Sequence, residues 1–402
     1  MNYDIIIVGA GPAGLSFARS LATSGLRIAL IEKQSQEQIA NPEFDGRDIA
    51  LTHLSVRILQ ELGIWSRFKA DDRPPIRKAM VLDGNSPYRL AFDGDKDAIE
   101  ALGYIVSNHV IRKALYDEVQ TIDNVDIHPD LAVTAVATND TGATVTLSDG
   151  QTMASKLVVA ADSRFSETRR MLGIPASMHD FGRVCIVCRM EHEQHHNGVA
   201  FECFHYGQTL AVLPLTPKRS SIVITAPMHL RDSIMAMDEA EFGADICRRF
   251  DARYGEMQLI GERFAYPLVG VHAKKFCAKR FALIGDAAVG MHPVTAHGYN
   301  LGLSGQEILA TEIVKAAAQQ KDIGATLLLE KYQRRHMRTT LPIFHGTNEL
   351  VKFFTDDRKP AKIARKIALR LANRIPPIKQ VIQNKLTETS NRSSLLPPLF
   401  RR

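Results

Sequence analysis

The amino-terminal segment alternates apolar runs with a glycine-rich turn in the order strand, helix, strand. Residues 4–8 form a β-branched run that predicts a buried strand, residues 15–23 predict a helix, and residues 27–32 predict a second strand. A strand–turn–helix–strand unit is a βαβ module, and such modules begin a parallel sheet. The pattern therefore predicts an α/β fold.

Two later segments have the same buried-strand pattern. Residues 156–161 and 280–284 are apolar and run into Asp162 and Asp286, respectively. Because the carboxyl ends of parallel strands meet at one edge of a sheet, we expect both carboxylates to lie at the edge that also carries the glycine-rich turn.

The chain between those two segments has a different pattern. Residues 183–268 contain short apolar runs separated by turn residues, which is typical of an antiparallel sheet. The expected strands are residues 184–187, 199–205, 209–213 and 221–225. Residues 77–92 predict a further strand of the same sheet, and the chain from residue 303 onward is mostly helical.

The turn after the first strand carries a dinucleotide-binding pattern. Residues 9–14 read G-A-G-P-A-G, a G-x-G-x-x-G motif that follows a strand and opens a helix. Gly9 permits the tight turn, Gly11 lets the backbone approach a pyrophosphate, and Gly14 allows close packing of helix on strand. Glu32 ends the next strand, where it can accept hydrogen bonds from a ribose diol and would repel a 2′-phosphate. The motif fits FAD and NAD equally.

The segment after the last buried strand can hold the rest of such a cofactor. Gly285-Asp286 is followed by a loop that leads into a long helix near residue 303. The carboxylate can bind a polyol such as ribityl, and the helix N-terminus can stabilise a ring that becomes anionic on reduction.

These motifs together resemble a known family. The glycine motif and residues 45–51, 162–164 and 285–303 are similar to group A flavin monooxygenases of the para-hydroxybenzoate hydroxylase fold. The His292-Pro293 pair resembles more closely the ubiquinone-biosynthesis hydroxylases, of the demethoxyubiquinol hydroxylase type. The resemblance covers residues 1 to about 345 and implies that the cofactor is FAD.

The resemblance assigns FAD contacts residue by residue. It implies pyrophosphate contacts for the glycine motif, ribose contacts for Glu32, pyrophosphate or ribityl contacts for Arg47 and Arg112, and isoalloxazine contacts for residues 293–300. The implied cofactor residues are Gly9, Gly11, Pro12, Ala13, Gly14, Glu32, Lys33, Arg47, Arg112, Asp162, Gly285, Asp286, Pro293, His297, Gly298, Tyr299 and Asn300.

Three positions depart from the family pattern. Ser163 replaces a glycine in a motif linked to FAD and NAD(P)H contact, and Val289 stands where His or Gln is usual. His297 stands where the family has glutamine beside the flavin. It can tune the flavin through its charge, or simply pack or hydrogen-bond within the loop.

The chemistry that the resemblance implies is aromatic hydroxylation. NAD(P)H or another electron donor reduces FAD, O2 forms a C4a-hydroperoxyflavin, and the oxygen is transferred to a polyprenylated phenol or quinol intermediate of ubiquinone biosynthesis. The alternatives are a non-catalytic, flavin-stabilised assembly subunit of a quinone-biosynthesis complex, or a flavoenzyme for another hydrophobic substrate. No catalytic side chain is singled out. Residues expected to line the pocket, or else to lie in the core, are Phe201, Phe204, Tyr206, Leu213 and Tyr266.

The predicted fold is an FAD-binding Rossmann-like βαβ domain interleaved with an antiparallel-sheet substrate domain, followed by a helical C-terminus. The FAD-binding parts are residues 1–76, 100–182 and 269–348, the substrate-domain parts are residues 77–99 and 183–268, and the basic helical region is residues 349–402.

The net charge of +6 comes from the end of the chain. Residues 350–402 contain 13 Lys/Arg against 3 Asp/Glu, so the rest of the chain is slightly acidic and nucleic acid is not expected as a partner. Residues 359–375 predict a helix with isoleucine and leucine on one face and lysine and arginine on the other. This helix can lie on an anionic membrane surface, dock to an acidic partner in a biosynthetic complex, or pack on the domain.

Composition and cysteine usage point to a reducing compartment. The chain shows no signal peptide, no membrane-length apolar run and no disulfide framework among its five cysteines, so we expect a cytoplasmic protein, with the inner face of the cytoplasmic membrane as the surface that the tail can contact. Cys185 and Cys188 are expected on opposite faces of a strand, and His192, His195 and His196 in a hairpin loop. No metal site is predicted.

Overall fold

The computed structural model of the chain describes residues 2–84, 89–94, 100–205, 207–292, 297–355 and 358. The strands in these residues are β1 (Asn2–Val8), β2 (Ile28–Ile31), β3 (Asp48–Leu51), β4 (Pro75–Ile76), β5 (Lys78–Asp83), β6 (Arg89–Asp93), β7 (Gly103–Ser107), β8 (Val125–His128), β9 (Val133–Thr138), β10 (Ala143–Leu147), β11 (Thr152–Ala160), β12 (Ala176–His192), β13 (Val199–His205), β14 (Gln208–Pro214), β15 (Arg219–Pro227), β16 (Met257–Ala273), β17 (Cys277–Ala278), β18 (Phe281–Leu283) and β19 (Val289–Gly290). The helices are α1 (Pro12–Ser20), α2 (Gln36–Ala40), α3 (His53–Glu61), α4 (Asn108–Val119), α5 (Glu167–Met171), α6 (Arg231–Ala236), α7 (Glu239–Arg249), α8 (His297–Ala318) and α9 (Thr326–Thr355).

The first sheet is built on the amino-terminal βαβ unit. Its strands follow the order β17-β18-β11-β1-β2-β8, with β10 and β9 branching from β11. β1 is parallel to both β11 and β2, and β18 is parallel to β11. The carboxyl ends of β1, β11 and β18 therefore share one edge, which confirms the expected α/β fold and the shared edge.

The second sheet is antiparallel except for one pair. It has the order β19-β16-β12-β15-β14-β13-β5-β6, in which only β5 and β13 run parallel among the described strands. β12 and β16 are long neighbouring strands that pair along nearly their whole length, with register shifts between Asp180 and Val184 and between Val187 and Arg189. The borders drawn from sequence at 182/183 and 268/269 both fall inside these continuous strands. A third, small sheet has the order β3-β7-β4.

Each face of the second sheet has its own apolar cluster. One face packs against α7 through residues such as Phe201, Cys188 and Phe242. Cys185 and Val187, which alternate with Cys188 along β12, belong to a separate cluster on the other face, together with Leu268. This second face looks toward the first sheet, and a distinct cluster around Ile76, Ile105 and Ala200 covers its far end.

The helical end of the chain packs on the first sheet. α8 and α9 bury residues such as Leu309 and Tyr332 in the core that also contains β1. α9 crosses the border drawn from sequence at 348/349, and the basic helix expected at residues 359–375 lies outside the described residues. In the part of the chain that the structure describes, no helix has the length and apolarity needed to span a membrane.

Candidate functional site

The glycine-rich turn is shaped by close backbone packing on two sides and by open space on the third. Gly9 has φ +108°, and a Cβ there would lie 2.6 Å from the carbonyl oxygen of Ala161 at the end of β11. A Cβ on Gly14 would lie 1.9 Å from the carbonyl oxygen of Gly9. A Cβ on Gly11 would meet no protein atom within 4 Å. The turn therefore leaves its only room at the position where a pyrophosphate should approach.

The start of α1 is ready to receive an anion. Gly11 is the N-cap residue, Pro12 and Ala13 begin the helix, and no side chain among the described residues caps it. The first N–H groups of a helix have no intrahelical acceptor, and the helix dipole places a partial positive charge there. The observed turn thus fits the phosphates of a dinucleotide, as the sequence predicts.

Glu32 lies next to this turn at the end of β2. Its Oε2 accepts a hydrogen bond from the Ala10 amide at 2.7 Å, and its Oε1 accepts one from the Gln34 amide at 2.9 Å. Each carboxylate oxygen keeps a second lone pair for a ribose hydroxyl. Arg112 reaches the same place by donating to Gln34 Oε1 at 2.8 Å, whereas Lys33 is exposed.

The third strand end brings Asp286 to the same edge. Gly285 has φ +58°, and a Cβ on it would lie 2.6 Å from the Cβ of Ala13 in α1. The Asp286 carboxylate accepts from Arg164 Nη2 at 3.0 Å, while Arg164 Nη1 donates to the carbonyl of Val269 at 2.8 Å. Arg164, which the sequence reading left without a role, therefore orients the carboxylate that is expected to bind the ribityl chain.

Asp162 has a local structural role at this edge. Its Oδ1 accepts from the Ser166 hydroxyl at 2.6 Å, and its Oδ2 accepts from the Thr168 amide at 3.0 Å and hydroxyl at 2.8 Å. The following residue, Ser163, has φ +83°, a conformation that favours glycine. Serine thus adopts a turn conformation suited to glycine, and the turn holds Asp162 beside Gly9.

The start of α8 contains the residues expected near the flavin ring. His297 is buried, and a Cβ on Gly298 would meet no protein atom within 4 Å, so the chain leaves room there. The Asn300 amide donates to the Ala50 carbonyl at 2.9 Å and accepts from the Thr52 amide at 3.1 Å, which ties α8 to β3. Tyr299 is partly buried and packs on the core that also contains α1, so its side chain lies at the helix interface. Pro293 lies outside the described residues.

Arg47 lies between the two halves of the molecule. Its guanidinium donates to Asp45 at 2.6 Å and lies 5.7 Å from the centre of the Tyr266 ring on β16. Although burial opposes the effect, the Arg47 guanidinium and the Asn108 amide hold the pKa of the Asp45 carboxyl below its usual range. The Tyr266 hydroxyl donates to the Asp45 carbonyl oxygen at 2.7 Å, so this loop is fixed against the second sheet.

The residues expected to line a pocket fall on both faces of the second sheet. Tyr266 and Leu213 lie on the face toward the first sheet. Phe204 on β13 lies on the same face, because its cross-strand neighbour Thr209 shares a face of β14 with Leu213. Phe201 points to the opposite face of the sheet from Phe204. It packs in the core under α7, where its ring centre lies 5.1 Å from that of Phe250. Strand alternation therefore places Phe201 in the core under α7, one of the two positions that the sequence left open for it. Tyr206 lies outside the described residues.

An ion pair that sequence reasoning missed joins the small third sheet to the second sheet. Asp48 on β3 has a fully buried side chain, which accepts from Arg189 Nη2 at 2.7 Å and from the Ser107 hydroxyl at 2.6 Å. Arg189 lies on β12, and its guanidinium is 4.4 Å from the centre of the Phe44 ring. The only signal in the sequence is that Asp48 is an acidic residue inside the segment 45–51 that carries the family resemblance.

The cysteine and histidine groups have structural surroundings. Burial raises the pKa of the Cys185 and Cys188 thiols to about 12, and the two residues lie in different clusters, as expected from their spacing. His192 binds Gln194 and Ser220, and His196 binds the Thr216 carbonyl. Within the described ranges no group of three or more potential ligands could hold a metal ion.

Comparison with known proteins identifies the family. Residues 2–340 match the FAD binding domain family. Ubiquinone hydroxylase UbiM of Neisseria meningitidis is 48% identical over 96% of this chain and 85% of its own length. The chain belongs to this family of FAD-dependent ubiquinone hydroxylases. A second relative, ubiquinone hydroxylase UbiL of Rhodospirillum rubrum, is 33% identical over 99% of this chain and 92% of its own length.

Comparison with solved structures shows the same fold in a monooxygenase. The structure of p-nitrophenol 4-monooxygenase PnpA from Pseudomonas putida has a TM-score of 0.77 and 17% identity, covering 98% of this chain and 100% of that one. The expected resemblance, the interleaved fold and the FAD cofactor are thus confirmed, and the protein is an FAD-dependent monooxygenase. The open space at Gly11, the uncapped start of α1 and the Arg164–Asp286 pair fit that cofactor.

Proposed function

We propose that this enzyme hydroxylates the aromatic ring of a polyprenylated phenol or quinol on the route to ubiquinone. The match to a ubiquinone hydroxylase at 48% identity over nearly the whole chain carries this proposal. The hydroxylation step suggested by the demethoxyubiquinol type of resemblance is part of the same proposal, as are the FAD contacts assigned above from sequence.

We propose that the two large sheets have different tasks. Bound FAD supplies the activation of O2, and the chain positions the ring and excludes water. The turn at Gly11, Glu32 and Asp286 hold the cofactor from the first sheet. The inward face of the second sheet, with Val187 and Tyr266, covers the ring and provides apolar contacts for a prenylated substrate. We assign residues 1–76, 100–182 and 269–348 mainly to the first task, and residues 77–99 and 183–268 mainly to the second.

Substrate-dependent oxygen consumption tests the proposed activity. The FAD-loaded protein should oxidise NAD(P)H, or accept electrons from another donor, with O2 uptake that depends on a short-chain polyprenylphenol. The product should gain one oxygen atom by mass spectrometry, with the label from ¹⁸O2. Yellow protein that accepts electrons from no donor would instead favour the assembly-subunit alternative. Turnover of other hydrophobic compounds, with the polyprenylphenol left unchanged, would favour a different substrate.

We also propose that the carboxyl-terminal end of the chain rests on an anionic membrane surface or on an acidic partner of a biosynthetic complex. A groove on α9 is lined by Lys331, Arg334, Arg335, Arg338 and Thr339. This groove adds positive charge to the strongly basic residues 350–402 that follow. A polyprenylated substrate resides in a bilayer, so contact with the membrane surface shortens its path.

The membrane proposal predicts salt-sensitive binding to anionic vesicles. Replacing Lys366 and Arg370 by glutamine in the full chain should weaken binding to phosphatidylglycerol vesicles by roughly 30-fold, since each basic residue near the surface contributes about 1 kcal/mol. Replacing the exposed Lys321 and Lys218 by glutamine is the charge-matched control. Co-sedimentation measures the effect, and unchanged binding of the first variant would contradict the membrane role of the tail.

A further inference from the structure

One carboxylate lies on the inward face of the second sheet and has no role in the site described above. Glu202 lies on β13 between Phe201 and Cys203, which both belong to the core under α7. Alternation along the strand places Glu202 on the opposite face, with Ala200, which belongs to the inward cluster around Ile105. The side chain therefore faces the FAD-binding half of the molecule.

A row of polar side chains crosses this inward face at Glu202. Its carboxylate hydrogen-bonds with Thr209 on β14. Thr209 pairs across the strands with Thr225 on β15, and Thr225 pairs with Cys185 on β12. Cys185 also belongs to the small apolar cluster with Val187, which is separate from the cluster that contains Ala200. The polar side chains thus run across the face from one apolar cluster toward the other.

The surroundings of Glu202 bury much of its side chain. The residue is partly accessible, yet burial raises the pKa of its carboxyl to about 8. The titratable groups that respond to its charge are the thiols of Cys185 and Cys203. Asp83 on β5 and Arg189 on β12 share the inward face by strand parity. Among the described residues no cation pairs with Glu202, so a ligand rather than the fold can use its charge.

The loop that carries Arg47 contacts the same face of the sheet, at β12 and β16. A Cβ on Gly46 would lie 2.6 Å from the Phe264 ring and 2.7 Å from Val187, so the loop at residues 45–47 packs directly on the inward face. Tyr266, whose hydroxyl binds this loop, is the cross-strand neighbour of Cys185. The polar row therefore runs from the loop at residues 45–47 across the sheet to Glu202.

We propose that Glu202 binds the ring hydroxyl of the aromatic substrate and accepts its proton during hydroxylation. The inference rests on the proposed function. The O–H bond of the substrate breaks, the proton moves to a carboxylate oxygen of Glu202, and the electron pair remains on the ring oxygen. The ring becomes more electron-rich at the carbons beside and opposite that oxygen, where an electrophilic oxygen is accepted. The proton passes to solvent after the product leaves.

The titration range of this carboxyl suits the role. A general base acts best when its pKa lies near the working pH, because it is then partly ionised and still basic enough to accept a proton. An ordinary glutamate, ionised at acidic pH, is a weaker base. Thr209 donates to the carboxylate and keeps it oriented, which makes Thr209 a positioning residue.

The first test compares Glu202→Gln with Glu262→Gln, a control at an exposed position on β16. With the FAD-loaded enzyme and a short-chain polyprenylphenol, kcat/KM of wild type and control should rise with pH through about 8. Loss of a general base lowers rates by 100-fold or more, so Glu202→Gln should lose about 100-fold above that pH and show a flat profile. A wild-type rate and profile in Glu202→Gln would overturn the inference.

Two readouts without turnover separate this inference from the proposed function. Burial holds the proton of Glu202 in the folded chain, whereas the unfolded chain releases it near 4.5. Wild type should therefore lose stability relative to Glu202→Gln as pH rises from 4.5 to about 8, with no further change above. Phenol binding, followed by the flavin absorption spectrum, should weaken in Glu202→Gln above pH 8. Equal phenol affinity in both proteins overturns the inference, even if wild type lacks hydroxylase activity.

Discussion

Replacing Gly11 by valine is expected to abolish FAD binding and to leave the apoprotein folded. Gly11 has φ −72° and ψ 178°, an extended conformation that valine adopts readily, and its Cβ would meet no protein atom within 4 Å. The fold therefore tolerates the side chain. The same space is where the pyrophosphate must approach the start of α1, so the added methyl groups displace the cofactor. We expect the FAD affinity to fall at least 100-fold, about 2.7 kcal/mol.

The measurement is a titration of apoprotein with FAD, followed by flavin fluorescence, together with the circular dichroism spectrum. Gly346→Val is the matched control, because a Cβ on Gly346 in α9 also meets no protein atom within 4 Å and lies far from the turn. A Gly11→Val protein that is isolated yellow with wild-type affinity would refute the assignment of this turn. Loss of the native spectrum would show instead that the space at Gly11 serves the fold.

The second large effect is expected at the ion pair between the sheets. Asp48→Ala removes a fully buried carboxylate and leaves Arg189, which is 24% exposed, and the Ser107 hydroxyl without their acceptor. Breaking a buried pair costs 3–5 kcal/mol, and the partial access of Arg189 to water reduces this to about 2–3 kcal/mol. Urea unfolding of the FAD-loaded protein measures the loss.

Two further variants make this test specific. The double variant Asp48→Leu with Arg189→Met replaces both charges by apolar groups and should be more stable than Asp48→Ala. Glu191→Ala removes an exposed pair on the same strand, in which Arg219 Nη2 lies 2.6 Å from Glu191, and should cost less than about 1 kcal/mol. If Asp48→Ala is no less stable than Glu191→Ala, the pair does not hold the two sheets together.

The nucleotide-binding half follows closely from local sequence patterns. β1, β2, β11 and β18 contain runs of apolar residues whose ends are marked by glycine or an acidic residue, so their type and their shared edge could be predicted. Ser163 shows why a departure from a family motif need not change the backbone. It adopts the positive φ that the usual glycine would adopt, at a modest energetic cost, and Asp162 keeps its place.

The substrate side was less accessible to prediction for a physical reason. Glu202 stands in the alternating segment F-E-C-F, where a single acidic residue normally indicates a solvent-facing position. It is half-buried because its face of β13 packs on the apolar cluster that contains Ala200 and Ile105. Asp48 and Arg189 are 141 residues apart in sequence, so no local pattern links them. Contacts of this kind depend on how the sheets are assembled. The hydrophobic periodicity of the sequence carries no information about that assembly.

The paired strands β12 and β16 have a consequence for how the enzyme opens. They connect both halves of the molecule as one continuous ribbon, and their register breaks between Asp180 and Val184, where Gly182 has φ +61°. A two-stranded ribbon resists stretching but bends where its ladder of hydrogen bonds is interrupted. Exchange of a bulky prenylated product would therefore be accompanied by tilting of the covering sheet about residues 180–184, which act as the axis of that movement.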